Sequence, residues 1–192
     1  LCGSTERIMD EVADELKHSD FEPVAFELAF GPNGQLPAVT VCEKGNIARV
    51  VGKVDRVDGW LKDGKLYLRV VDYKTGKPHN CFRDVAALFS SVAAERSPAV
   101  LQTLLYAMML SQSENCDVQP ALYYVRSMQD ERFSPLLVEG DRPVLRFSDY
   151  RESLNGHLQK TLSELFDFSK PFEQCEDRSV CAYCDFREIC RR

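Results

Sequence analysis

The sequence predicts an α/β fold in which a mixed central β-sheet is flanked by helices. Three observations support this class. Several runs are rich in β-forming residues, an Asp-Gly pair separates two of these runs, and other segments carry apolar residues at helical spacing. Taken in chain order, the elements read as one helix, a set of strands, a helix, a strand and a helix, which is typical of a sheet covered by helices.

Each element follows from a local pattern. A first helix is expected over residues 4–18, because Ile8, Val12 and Leu16 recur at helical spacing. A strand at 21–30 ends at a Gly-Pro-Asn-Gly turn, and a short strand follows at 38–42. The remaining predictions are strands at 49–60 and 66–73, a helical region at 84–112 with a break near Ser97-Pro98, a strand at 121–126 and a helix at 150–168.

Length and composition indicate one globular unit. The chain has 192 residues, which suffices for a single domain, so residues 1–192 are expected to form one domain with a Cys-rich tail at 175–192. No apolar run reaches the ~20 residues of a membrane span. The first residues include neither an initiator Met nor a signal-peptide pattern. We therefore expect a fragment of a longer cytoplasmic polypeptide.

The charge is unevenly distributed. The net charge is −6, which argues against a protein that coats nucleic acid by bulk charge. Residues 44–77 nevertheless hold nine Lys and Arg against four Asp, a net of +5, so the rest of the chain carries −11. This basic stretch is compatible both with phosphate binding and with a solvated strand face.

The Asp-Gly turn fixes the register of a hairpin with unusual charges. If Asp63 and Gly64 form a two-residue turn, cross-strand partners have residue numbers that sum to 127, and Asp55 falls opposite Asp72. Directly opposed residues share a face, and Lys74, two residues beyond Asp72, points the same way. On the other face, the same register opposes Asp58 and Arg69, a favourable pair that supports it.

Two opposed carboxylates destabilise a hairpin unless something else binds them. A divalent cation could bind both carboxylates, since Mg²⁺ prefers hard oxygen ligands. Such an ion can also polarise a phosphodiester. The ammonium of Lys74 could then orient the attacking water or offset charge on the phosphate. The same spacing is equally compatible with a surface hairpin whose aspartates face solvent.

The segments around these residues resemble a known family. Residues 52–58, GKVDRVD, and 71–76, VDYKTG, look like the "GxxDRxD" and "xDYKxG" motifs of AddB/RecB-type nucleases in the PD-(D/E)XK superfamily. A Gln-x-x-x-Tyr motif on the next helix of that family is matched by Gln102 and Tyr106, which share a helix face at i,i+4. The segment from Phe21 to Pro37 is also similar, and within it Glu27 is expected to be a structural strand residue.

This resemblance implies a restriction-endonuclease-like core with a metal-dependent nuclease site. It implies Mg²⁺ or Mn²⁺ as the cofactor, held by Asp55, Asp72 and Tyr73. It implies catalytic roles for Asp55, Asp72, Lys74, Gln102 and Tyr106. By the same resemblance, the activity is that of a DNA exonuclease within a helicase–nuclease for double-strand break repair. The substrate would be single-stranded DNA from duplex ends, and the partner a helicase subunit of the AddA type.

The cysteine tail indicates a second metal centre. Cys181, Cys184 and Cys190 form a C-x₂-C-x₅-C run, close enough to share one metal. In the family that the chain resembles, these are three ligands of a structural 4Fe–4S cluster whose fourth ligand lies upstream of the nuclease core. That upstream Cys and a metal-binding His are missing at the expected places here, so we expect the cluster to be incomplete in this fragment. Two competing interpretations remain, which are a zinc site that adds Cys175 and a tail in which the cysteines share no metal.

Two other functions remain open from the sequence. The first is a non-catalytic scaffold of the same fold that binds DNA or a partner without cutting. The second is a CRISPR-associated exonuclease of the same superfamily. The complete set of Asp55, Asp72, Lys74, Gln102 and Tyr106 favours an enzyme, although the missing His and Cys leave open that the fragment alone is inactive.

Overall fold

The computed structural model describes residues 20–62, 64–128, 130, 132–171, 173–175 and 177–191. The helix expected over residues 4–18 lies outside these ranges. Within them, nine strands and two α-helices are assigned. They are β1 (Glu22–Phe30), β2 (Val39–Glu43), β3 (Asn46–Val50), β4 (Gly52–Lys62), β5 (Lys65–Lys74), β6 (Cys81–Phe82), α1 (Pro98–Glu114), β7 (Val118–Tyr124), β8 (Val138–Glu139), β9 (Arg142–Pro143) and α2 (Arg151–Leu165).

The central sheet is mixed, as predicted. Its strand order is β1-β4-β5-β7, with antiparallel pairing from β1 to β5 and parallel pairing between β5 and β7. The connection between the two parallel strands contains α1, as the topology of such a pair requires. Two smaller sheets, β2-β3 and β6-β8-β9, lie outside the central one.

The predicted hairpin register is confirmed. The β4–β5 pairs run from Lys62 with Lys65 to Arg56 with Val71, and each pair sums to 127. Gly64 has a φ of 73°, in the left-handed region that a tight hairpin turn demands and that glycine adopts without steric cost.

The hydrophobic core lies between the sheet and the helices. Helix α1 packs on β5 and β7, and Leu104, Met108, Val70 and Leu122 are fully buried there. Helix α2 packs on the β2–β3 hairpin. The opposite face of the central sheet carries a second, small cluster of Val71, Ala121 and Tyr123.

The prediction of one strand over residues 49–60 was wrong. The run is divided at Val51, where the chain leaves the β2–β3 hairpin and enters β4. The hairpin was missed because its turn is formed by Lys44 and Gly45, which have φ values of 47° and 83°. Only the glycine of that pair is a recognised signal for such a turn.

The helical region predicted from residue 84 was also only partly right. Helix α1 begins at Pro98, and the segment before it forms two 3₁₀ turns, Ala86–Phe89 and Ala93–Glu95. The carboxylate of Asp84 accepts a hydrogen bond from the Ala87 amide at 2.7 Å, and the Ser90 hydroxyl accepts one from the Val92 amide at 3.1 Å. Such local bonds compete with a continuous helix.

Candidate active site

The two aspartates of the predicted site lie where β4 and β5 separate. The ladder between these strands ends at Arg56 and Val71. Beyond it, residues 52–54 of β4 pair only with β1, and residues 72–74 of β5 pair only with β7. We call this point, formed by residues 55–56 and 71–72, the strand junction. Asp55 and Asp72 are therefore the first residues past the last backbone pair.

This divergence changes the contact between the two carboxylates. The ideal register would oppose Asp55 and Asp72 directly, but the Tyr73 amide instead donates a hydrogen bond to Oδ2 of Asp55 at 2.9 Å. Asp55 is thus held to β5 by its side chain at the position where backbone pairing stops.

Asp72 is a buried carboxylate with a cationic partner. It is 3% exposed, and its Oδ2 lies 2.6 Å from Nζ of Lys74. Burial raises the pKa of Asp72, the neighbouring charge of Asp55 raises it further, and the hydrogen bond and charge of Lys74 oppose the rise. The Lys74 ammonium therefore pairs with Asp72, while Asp55 is held by the Tyr73 amide.

Helix α1 supplies the other half of the site. Lys74 donates a hydrogen bond from Nζ to Oε1 of Gln102 at 2.7 Å, and Nε2 of Gln102 donates to Oη of Tyr106 at 2.9 Å. The prediction that Gln102 and Tyr106 share a helix face is confirmed. Tyr106 is 8% exposed, and burial raises the pKa of its hydroxyl, so it stays protonated at neutral pH.

Gly52 allows β4 to approach this helix. A Cβ added at Gly52 would lie 2.9 Å from Cε1 of Tyr106 and 3.4 Å from Cε of Met109. The glycine of the Gly-x-x-Asp pattern therefore has a packing role, since any side chain there would displace the tyrosine ring.

Glu27 lies within β1, as expected of a structural strand residue, and it lies beside the strand junction. Phe26 pairs with Arg56 and Leu28 with Val54, so Glu27 falls opposite Asp55 in the β1–β4 register. Its φ of 52° is rare for a residue other than glycine and is typical of a strained position. Its carboxylate forms an ion pair with Lys53. The hydrogen bond within this pair is the largest cause of the raised pKa of Lys53. The signal available in the sequence was an acidic residue inside an otherwise apolar strand.

The donor set at the strand junction suits a hard divalent cation. Carboxylate oxygens are the ligands that Mg²⁺ prefers, and this ion commonly uses one or two of them and keeps its remaining positions for water and phosphate. Asp55 and Asp72 meet that requirement, and the ammonium beside Asp72 shows that the site draws positive charge. Within the described ranges, no group of three or more His, Cys, Asp or Glu side chains is gathered at metal-binding distance.

The tail cysteines follow α2 in the chain. A 3₁₀ helix, Arg178–Tyr183, contains Cys181, while Cys184 and Cys190 follow it. All three are partly exposed free thiols, and Cys175 is exposed. In the described part of the chain they are not assembled into a metal-ligating cluster.

Comparison with known proteins identifies the family of the chain. The family model of the PD-(D/E)XK nuclease superfamily matches residues 2–191. The chain therefore belongs to the PD-(D/E)XK nuclease superfamily, and the predicted restriction-endonuclease-like fold is confirmed.

Among the individual relatives are subunits of helicase–nucleases. An ATP-dependent helicase/deoxyribonuclease subunit of Clostridium acetobutylicum is 34% identical over 113 residues, which cover 58% of this chain and 9% of the relative. Proteins of the same name from Thermoanaerobacter sp. and Pelotomaculum thermopropionicum are 32% identical over 120 residues and 42% identical over 78 residues, covering 60% and 40% of this chain and 10% and 7% of those proteins. The chain thus spans about a tenth of the length of these relatives. No α-helix among the described residues is long and apolar enough to cross a membrane.

Proposed function

We propose that this chain is a metal-dependent DNA-hydrolysing domain that acts as an exonuclease on single-stranded DNA. The observation that carries the proposal is the strand junction, where Asp55 accepts a hydrogen bond from the Tyr73 amide, Asp72 pairs with Lys74, and the lysine in turn contacts Gln102. We further propose that it works with a helicase of the AddA type in repair of double-strand breaks, a proposal supported by relatives named as helicase/deoxyribonuclease subunits.

Each residue of the site has a distinct role in this proposal. Asp55, Asp72 and the backbone carbonyl of Tyr73 would hold Mg²⁺ or Mn²⁺, which when bound polarises a phosphodiester and lowers the pKa of a bound water. Lys74 orients the attacking water and offsets charge developing on the phosphate. Gln102 holds the lysine ammonium by accepting its hydrogen bond, and the Tyr106 hydroxyl fixes the orientation of the Gln102 amide.

A groove beside the site favours single-stranded DNA as the substrate. It has a volume of about 720 Å³ and is open to solvent, and Lys74, Gln102 and Tyr106 line it at the site. The rest of its lining is apolar: Val50, Val51, Pro98, Ala99, Leu101, Leu105 and Met109. Apolar walls suit the faces of unpaired bases and offer no hydrogen-bonding code, which agrees with cleavage independent of sequence.

The basic stretch contributes less to DNA binding than its net charge indicates. Arg56 and Arg69, two of its nine cations, are buried at 0% and 5% exposure and contact Asp58. They cannot reach a phosphate. The exposed cations of the stretch, Arg49 and Lys65 among them, remain available for phosphate contacts.

The decisive experiment is Lys74→Ala in the full chain, assayed on an end-labelled single-stranded oligonucleotide with Mg²⁺ or Mn²⁺. We expect cleavage to fall by about 100-fold or more, as for loss of a group that stabilises developing charge. DNA affinity, measured by fluorescence anisotropy in EDTA, should stay within a few-fold. Lys77→Ala is the matched control, because Lys77 lies three residues away and is exposed.

The outcomes separate the candidate functions. Equal cleavage by the Lys74→Ala variant and the wild type would refute the catalytic role of Lys74. A wild-type chain that binds DNA but does not cut it with either metal would favour the non-catalytic scaffold. Cleavage by the wild type and by Lys77→Ala, with loss in Lys74→Ala, is the result that the proposal requires.

A further inference from the structure

The second half of the Asp-Arg-x-Asp pattern forms a buried ionic network on the sheet face that faces away from α1. Arg56 and Asp58 are both 0% exposed, and Arg69 is 5% exposed. Burying charges costs free energy, and a buried ion pair is weak evidence for added stability. The presence of three such charges directly behind the strand junction therefore calls for another explanation.

The network converges on Asp58. Arg69 donates to Oδ2 of Asp58 from Nε at 2.9 Å and from Nη2 at 2.7 Å. Arg56 donates to the same oxygen from Nη2 at 3.0 Å, and its Nε lies 2.8 Å from Oδ1. The aspartate thus fixes the plane and direction of the Arg56 guanidinium.

Arg56 in turn reaches across to β5. Its Nη1 donates a hydrogen bond to Oη of Tyr73 at 2.7 Å. Arg56 belongs to the last backbone pair of the β4–β5 ladder, and Tyr73 lies two residues beyond the other member of that pair, Val71. The side-chain bond therefore joins the two strands at the point where their backbone hydrogen bonds have ended.

Tyr73 transmits this contact to the site. Its side chain lies behind the sheet, while its amide donates to Asp55 on the front and its neighbours in the chain are Asp72 and Lys74. From this geometry we infer that Arg56, oriented by Asp58 and Arg69, is a positioning residue for Asp55 and acts through Tyr73. The inference extends the proposed function and rests on it, because it explains how the first metal-binding carboxylate is held in place.

The test is Tyr73→Phe in the full chain, which removes the acceptor of the Arg56 bond and keeps the ring and the backbone. The first readout is hydrogen exchange of the Tyr73-position amide, followed by NMR without metal. We expect exchange to be about tenfold faster than in the wild type, because the amide is no longer held against Asp55. The second readout is Mn²⁺ binding by calorimetry, where we expect an affinity loss of about tenfold, as for other groups that orient metal ligands.

Two further variants serve as a matched control and as a second test. Tyr67→Phe is the matched control, since Tyr67 is also on β5 but stacks on Trp60 at a ring distance of 4.4 Å, away from the site. Arg56→Lys retains the charge and loses the guanidinium fork, so it should reproduce both effects of Tyr73→Phe. If Tyr73→Phe does not fold, Arg56→Lys serves as the test in its place.

Unchanged amide exchange at position 73 in Tyr73→Phe and Arg56→Lys would overturn the inference. So would a lower melting temperature with unchanged Mn²⁺ affinity, because that is the signature of a purely structural network. Failure of the proposed function looks different. The wild type would then bind no Mn²⁺, while the exchange measurement would still decide whether Arg56 holds the Tyr73 amide against Asp55.

Discussion

Gly52→Ala tests whether the close approach of β4 to α1 sets the geometry of the site. The added Cβ would lie 2.9 Å from Cε1 of Tyr106, against the ~3.5–4.0 Å at which carbon atoms attract each other. Either the ring or the strand must therefore move by about 0.6–1.1 Å. Tyr106 cannot yield freely, because it is 8% exposed within the core.

The cost follows from that displacement. Overpacking of this size destabilises a core by about 1–3 kcal/mol, which for a chain of this length lowers the melting temperature by about 2–4 °C per kcal/mol. The ring shift also lengthens the 2.9 Å hydrogen bond between Gln102 and Tyr106. Gln102 then holds the Lys74 ammonium less firmly. A misplacement approaching 1 Å at a catalytic group can cost about 100-fold in rate, so we expect cleavage to fall by about 10- to 100-fold.

The assay pairs chemical denaturation with cleavage of a single-stranded oligonucleotide. Gly156→Ala is the control, because Gly156 lies within α2 and a Cβ added there meets no atom of another element within 4 Å. This control should gain up to about 1 kcal/mol from helix propensity and cleave DNA at the wild-type rate. If Gly52→Ala unfolds at the wild-type midpoint and cleaves at the wild-type rate, the packing role assigned to Gly52 is wrong.

Two other predictions concern the charge and the core of the site. Because the pKa of Asp72 is raised by burial and by Asp55, protons compete with a metal at a higher pH than they would at an ordinary aspartate with a pKa of about 3.9. Mn²⁺ affinity measured by calorimetry should therefore begin to fall, as the pH is lowered, at a pH above the ordinary aspartate range, and an affinity that stays constant down to a pH of about 4 would contradict the assignment. Leu104→Ala removes a fully buried side chain from the face of α1 that packs on the sheet. It should lower the free energy of unfolding by about 2–5 kcal/mol in denaturant titrations. A loss below about 1 kcal/mol would show that the surrounding core collapses into the cavity.

The sequence could predict the register of the hairpin because a two-residue turn leaves only one way to pair the strands. A shift by one residue would turn every apolar side chain to the wrong face, so Asp58 and Arg69 were correctly opposed. The helical period likewise placed Gln102 beside Tyr106. These are short-range relations, and the local sequence determines them.

The separation of the strands at Asp55 could not be predicted in this way. It depends on where β4 continues to pair with β1 alone and β5 with β7 alone. Both β1 and β7 are distant in sequence from the turn. The same applies to the burial of Asp58 and Arg69, which look like surface charges until the fold covers them. The left-handed backbone at Glu27 has no signal in residue type, since glycine is the residue expected there.

The strand junction has a thermodynamic consequence for the whole sheet. Asp55 belongs to the β1–β4 pair of strands and Asp72 to the β5–β7 pair, and no backbone hydrogen bond joins the two pairs beyond Arg56 and Val71. An ion bound by both carboxylates would add a cross-link between these pairs at the end of the β4–β5 ladder. Its concentration would then contribute to the stability of the sheet, since each tenfold increase above the dissociation constant adds about 1.4 kcal/mol to the free energy of unfolding. Catalytic competence and resistance to denaturation would rise together along one metal titration.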